Sequence, residues 1–213
     1  MSDIQISAPA GSLQVRAVWQ ESKQVALICH PHPLFGGTMD NKVVTTLVRF
    51  FKSQNISVVT FNFRGVGTST GTHDNGVGEI DDAFSVLSWI LRQHPSGKSA
   101  RQLYIAGFSF GAYIAAALAS RFKHGDVRDE LKAFELLKTY LVAPPVHHYP
   151  MQHLHLSKGT PVLIGDEDEV VPPQLVIDWA ASLDLPLLLM PQCSHFFHGH
   201  LTDLTQTLQQ NYP

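Results

Sequence analysis

Three residues far apart in the chain have the types and the order that acyl transfer requires: Ser109, Asp168 and His195. A serine hydroxyl is a weak nucleophile at neutral pH and becomes effective when an imidazole takes its proton during attack and returns it to the leaving group. A buried carboxylate holds that imidazole in the right tautomer and stabilises the cation that forms. Ser109 is the centre of Gly107-Phe108-Ser109-Phe110-Gly111, which lies between a strand-like apolar run, 103–106, and an alanine-rich helical run, 112–118. This is the pattern of a nucleophile elbow, where the serine occupies a sharp strand-to-helix turn and the glycines let chain and helix approach closely.

The partners of such a serine are expected just after other strands, because active-site groups of an open α/β sheet collect at the carboxyl ends of its strands. Two loops qualify. One, 165–172, follows the apolar run 162–164 and offers Asp166, Asp168 and Glu169; the other follows 187–190 and offers His195, His198 and His200. Asp168 is the expected acid, with Asp166 and Glu169 read as charges ahead of the helix that Pro172 and Pro173 start. His195 is the expected base, because His198 and His200 fall in the first turns of the helix that follows. Attack at a carbonyl also needs two N–H groups for the developing oxyanion. Phe110 supplies one. The other is expected in the loop His30-Pro31-His32-Pro33-Leu34-Phe35-Gly36-Gly37, where prolines have no N–H, which leaves His32, Leu34 or Phe35; Leu34 is the expected donor. Phe35, Met151 and Phe196 are apolar residues near these loops and are expected to line the substrate site.

The elements that must position these groups follow from hydrophobic patterning. Short apolar, β-branched runs at 25–29, 57–63, 103–106, 139–143, 162–164 and 187–190 alternate with helix-period stripes: Val43, Val44, Leu47, Val48 and Phe51; Ile80, Ala83, Phe84, Leu87, Ile90 and Leu91; Phe197, Leu201, Leu204 and Leu208. Near-continuous apolar strands between amphipathic helices predict an α/β fold, a doubly wound and mostly parallel sheet covered on both faces. Runs at 4–6 and 13–19, joined through Pro9-Ala10-Gly11, predict an antiparallel hairpin at the sheet edge. Residues 127–138, with Leu131, Phe134 and Leu137, predict a short amphipathic helix. The stretch between Pro145 and the strand at 162 is too short for a cap domain.

The 213 residues, 44% hydrophobic with 15% charged and a formal charge of -3, predict one domain spanning 1–213. Scattered Lys and Arg give no footprint for nucleic acid or for an anionic membrane, so a small-molecule partner is expected. The N-terminus lacks a signal-peptide pattern, and no run approaches the ~18 apolar residues of a membrane span, so the expected location is cytoplasmic. Cys29 and Cys193 read as buried thiols near strand ends. The chemistry calls for no cofactor and no metal; His147, His148, His153 and His155 read as loop surface. Residues 65–71 read as a glycine-rich turn rather than a dinucleotide fingerprint, and Gly97-Lys98-Ser99 fails as a phosphate loop because Arg92 stands where its first glycine belongs. Arg64 is expected to clamp Asp81 or Asp82.

Taken together, residues 30–42, Phe61-Asn62-Phe63-Arg64-Gly65-Val66-Gly67-Thr68-Ser69, Gly107 to Gly111, 165–172 and Ser194-His195-Phe196-Phe197 resemble a family of small bacterial serine α/β-hydrolases without a cap domain. The resemblance spans nearly the whole chain in order. It implies an eight-stranded sheet and hydrolysis of small carboxylic esters through an acyl-enzyme. The chain is more loosely similar to dienelactone hydrolases, which usually carry a cysteine where this chain has Ser109. Thioester, peptide or acyl-transfer substrates would use the same three residues, and a ligand-binding module on the same fold is the reading from another class.

Overall fold

The computed structural model describes residues 3–93 and 102–212. Its strands are β1 (Ile4–Ala8), β2 (Gly11–Val18), β3 (Gln24–Cys29), β4 (Ser57–Phe61), β5 (Gln102–Phe108), β6 (Glu135–Val142), β7 (Val162–Gly165) and β8 (Leu187–Met190). They form one eight-stranded sheet in the order β1-β2-β4-β3-β5-β6-β7-β8. The predicted hairpin is present at the edge: Ile4 lies opposite Val15 and Ile6 opposite Leu13, and β2 then pairs antiparallel with β4. All other neighbours run parallel. Every residue of β4 is buried, and so is all of β3 and β5 beyond the first residue. Burial on both faces is what lets these strands be apolar without alternation.

Among the described residues, five helices cover the sheet: α1 (Lys42–Ser53), α2 (Val77–Gln93), α3 (Phe110–His124), α4 (Pro173–Ser182) and α5 (Leu201–Gln210). α1 packs with α5 and α2 with α3, as two covering layers require. Among the described residues, no helix is long and apolar enough to cross a membrane. Gly97-Lys98-Ser99 lies outside the described residues.

The segment 127–138 departs from its predicted helix. Asp129–Ala133 forms a short 3-10 turn, and the chain enters β6 at Glu135, well before the predicted strand start. Leu136 pairs with Leu103 and Lys138 with Tyr104, across an irregularity in the register. The ladder of β5 was open on that side, and its unpaired backbone groups outweigh a helical periodicity carried by three residues.

Where β3 ends, the buried His30 ties neighbouring strands together: its Nδ1 donates to the Pro31 carbonyl at 2.6 Å and its Nε2 accepts the Phe63 N–H at 3.0 Å. Burial pushes this imidazole down to about 4 from 6.5. As pH falls through 6.5 the unfolded chain takes a proton at His30 that the folded chain refuses until about 4. Stability is therefore complete above that window and is lost within it, by about 3 kcal/mol at its lower end. Urea unfolding at pH 7 and pH 4 should show a loss larger by about that amount in wild type than in His30→Asn. Equal pH dependence in the two proteins would refute the assignment.

Candidate active site

β5 ends in the elbow. Ser109 leaves the strand with φ 54° and ψ −121°, its N–H donating to the Val142 carbonyl at 2.8 Å, and α3 starts at the next residue. Both flanking glycines are required by close approach: a Cβ on Gly107 would strike the Gly111 carbonyl, and one on Gly111 would strike the carbonyls of Cys29 and His30. The helix is thereby pressed against the ends of β5 and β3.

The structure brings the three expected residues together. His195 Nε2 lies 3.1 Å from Ser109 Oγ, and His195 Nδ1 lies 2.7 Å from Asp168 Oδ2. Asp168 and His195 are buried, 6% and 2% exposed, while Ser109 is half-buried at the surface of the site. The second carboxylate oxygen of Asp168 accepts the N–H groups of Val170 and Val171 at 2.9 and 2.7 Å, so one oxygen holds its own loop and the other faces the imidazole. The His195 ring packs against Phe108 and Phe196, each with centroids 5.0 Å away.

The other acids and histidines of these loops are placed elsewhere. Glu169 accepts the backbone N–H of His195 at 3.0 Å, a role that its spacing from Asp168 did not reveal. His200 immediately precedes α5, with Nδ1 2.8 Å from Asp203 Oδ2, and His198 stacks on Phe196, so neither reaches Ser109. α5 itself begins only at Leu201.

Phe110 opens α3, and among the described residues its N–H has no acceptor within the protein. In the loop after β3 the three candidate donors differ. Leu34 donates its N–H to His32 Nδ1 at 3.2 Å, and Phe35 donates to the His32 carbonyl at 3.2 Å. Among the described residues, the His32 N–H alone of the three has no such acceptor. Burial, with the nearby His73 imidazole second, holds His32 below the usual histidine range, consistent with a neutral ring that accepts at Nδ1.

Of the residues expected to line the substrate site, Phe196 is partly exposed beside His195 and Phe35 is 85% exposed beside His32. Met151 corrects that expectation. It is wholly buried in the core, because Pro150 starts a 3-10 turn, Met151–His153, that drives its side chain inward. The segment that carries it packs on α3 through Tyr149, which stacks on Tyr113 at 4.4 Å and lies 5.4 Å from Phe110. His147 and His148 pair with each other and His155 with His124. Among the described residues, no group of three or more His, Cys, Asp or Glu side chains could hold a metal ion. Cys29 ends β3 and Cys193 follows β8; both thiols are free, buried and pushed up by burial.

Arg64, in the loop just after β4, closes on Asp82 of α2 with contacts of 3.0 and 2.7 Å, and its Nη2 donates to the Gly78 carbonyl at 2.6 Å. This clamp fixes the loop that returns from β4 to α2 alongside the site.

A strand-elbow-helix serine, an imidazole and a carboxylate from the ends of later strands, on this sheet order, define an α/β hydrolase. The chain belongs to the α/β-hydrolase fold family, whose match covers residues 35–156. It is 36% identical to a crystal structure from Xanthomonas campestris described as an α/β serine hydrolase without lid, with a TM-score of 0.86 over 99% of this chain and 92% of that one. An α/β serine hydrolase homologue from Coxiella burnetii is likewise 36% identical, with a TM-score of 0.85 over 100% and 97% of the two chains. An uncharacterized protein of Rickettsia prowazekii is 32% identical, covering 100% of this chain and 92% of its own.

Proposed function

We propose that the protein is a serine esterase that cleaves small carboxylic esters through an acyl-enzyme formed on Ser109. The observation that carries this reading is the continuous line from Ser109 Oγ through His195 to Asp168, at 3.1 and 2.7 Å. With Nδ1–H donated to Asp168, His195 presents Nε2 as the acceptor for the serine proton. Ser109 Oγ attacks the ester carbonyl carbon and its proton passes to Nε2. The carbonyl oxygen becomes an oxyanion, held by the N–H groups of Phe110 and His32. We assign the second donor to His32 rather than Leu34, because the Leu34 N–H is already given to the His32 ring. Collapse breaks the C–O bond and His195 returns the proton to the departing alcohol. Water then repeats the sequence on the acyl-enzyme and releases the acid.

The exposed side chains of Phe35 and Phe196 suit apolar groups on the ester, in a site open to small-molecule substrates. The backbone of Ser109 argues against a binding module. A non-glycine residue held at φ 54°, ψ −121° is strained by about 1–3 kcal/mol, and a site that performs no chemistry has no use for that strain.

The direct test is intact mass after exposure to a fluorophosphonate. Folded wild type is expected to gain one adduct, on Ser109, and Ser109→Ala none. No adduct on wild type, or an adduct that persists in the variant, would sink the proposal.

A further inference from the structure

Behind the proposed oxyanion hole lies a buried polar pair that the mechanism above does not use. The Glu79 side chain, in the first turn of α2, is fully buried. Its Oε1 accepts the Asp74 N–H at 2.9 Å and its Oε2 the Gly76 N–H at 2.8 Å. Oε1 also lies 2.9 Å from Nδ1 of His73, a contact without the alignment of a hydrogen bond. The His73 side chain is 6% exposed, and among the described residues Nε2 has no polar partner. The ring instead packs against two others, that of His32 at 4.7 Å and that of Phe110 at 5.5 Å, which themselves lie 5.2 Å apart. These are the two residues whose N–H groups would face the oxyanion.

We propose that His73, held against Glu79, is a positioning residue for the oxyanion hole: its ring fixes that of His32 and thereby the direction of the His32 N–H. The inference rests on the serine-esterase reading. Two facts point to it. The His32–Phe35 turn lacks packing on its outer side, since Leu34 and Phe35 are 70% and 85% exposed. The inward-facing ring of His32 is therefore its main side-chain anchor, and on its inner side that ring rests on His73, at 4.7 Å, and on Phe110, at 5.2 Å. A buried carboxylate beside an imidazole is also an expensive way to fill space; apolar side chains of equal volume would do so at lower cost. What the pair adds is orientation, passed on from a loop locked by the Arg64–Asp82 clamp. An N–H donor stabilises an oxyanion only when it sits about 2.7–3.1 Å from where that oxygen forms, so a small drift of the turn is felt in the chemical step.

The test compares His73→Asn, which keeps an N–H toward Glu79 but lacks the ring, with His73→Phe, which keeps the ring. The readouts are kcat and KM for a small p-nitrophenyl ester and the affinity for a trifluoromethyl ketone, whose tetrahedral adduct carries an oxyanion. We expect His73→Asn to lower kcat about 10- to 100-fold with KM within twofold, and to weaken the ketone by the same factor. His73→Phe, which keeps the ring but not the contact with Glu79, should recover only part of the loss, full recovery showing instead that the pair adds no orientation, and His73→Asn made in a His32→Ala background should add little. His73→Asn with kcat and ketone affinity within twofold of wild type would overturn the inference, and so would an undiminished loss in the His32→Ala background. Either result with a normal fluorophosphonate adduct on wild type leaves the esterase reading standing; wild type without an adduct overturns both.

Discussion

Ser109→Gly is expected to abolish ester hydrolysis, with kcat down by at least about 10⁴-fold, and at the same time to raise the melting temperature by about 2–4 °C. The two effects have one source. Ser109 is held at φ 54°, ψ −121°, a conformation open to glycine and strained for any residue with a Cβ. Removing the Cβ relieves about 1–3 kcal/mol, and the greater freedom of glycine in the unfolded chain takes back about 0.5–1. The Ser109 N–H to Val142 carbonyl bond is untouched by the change. Ser109→Ala should be equally inactive but without the gain in stability, because alanine keeps the strained Cβ. Calorimetry of the three proteins with an ester assay settles the matter. A melting temperature of the glycine variant at or below that of wild type would show that the elbow stores no strain, and a kcat within about tenfold of wild type in either variant would place the nucleophile elsewhere.

Asp168→Asn is expected to lower kcat by about 10⁴-fold while leaving the fold intact. Asp168 Oδ1 accepts two backbone N–H groups, from Val170 and Val171, which only an oxygen can do. The amide of asparagine must therefore turn its oxygen to the loop and its NH₂ to His195. Facing a donor, His195 presents Nδ1 as acceptor and moves its proton to Nε2, the atom that must take the proton from Ser109. The base is then blocked by its own tautomer rather than displaced. The check is kcat against pH, with fluorophosphonate labelling rates: both should fall together near neutrality and recover partially at high pH. A variant with kcat within tenfold of wild type would mean that Asp168 does not set the tautomer. Glu169 offers no substitute, since its carboxylate is engaged with the His195 backbone N–H.

Much of the site could be read from residue order because each chemical group stands next to a strand end. Short apolar runs locate strand ends to within a residue or two: β3, β7 and β8 were placed closely, and Asp168 and His195 follow from them. The same logic failed where it relied on side-chain direction. Met151 is apolar and near the site in sequence, yet a 3-10 turn sends it into the core. Leu34 and His32 are both N–H donors on paper; only the folded turn shows that the Leu34 N–H is consumed by the His32 ring. His73 and Glu79 gave no catalytic signal. The one trace was the spacing of Glu79 three residues after Gly76, whose N–H it accepts, but without a Ser or Thr at that cap it does not stand out.

What the sequence by itself determined is the local chemistry: a serine that only a glycine-flanked turn can present, a histidine and an acid at strand ends, and strands apolar enough to demand cover on both faces. Those properties depend on residues within a few positions of one another. Tertiary structure decided everything that depends on partners distant in the chain. Residues 135–138 became strand because β5 offered an open ladder, Arg64 chose Asp82 over Asp81, and the rings of His32, His73 and Phe110 met across two loops and the start of α3. Satisfying a buried backbone group or a buried charge is worth more than a local preference, and only the folded chain determines which groups are buried together.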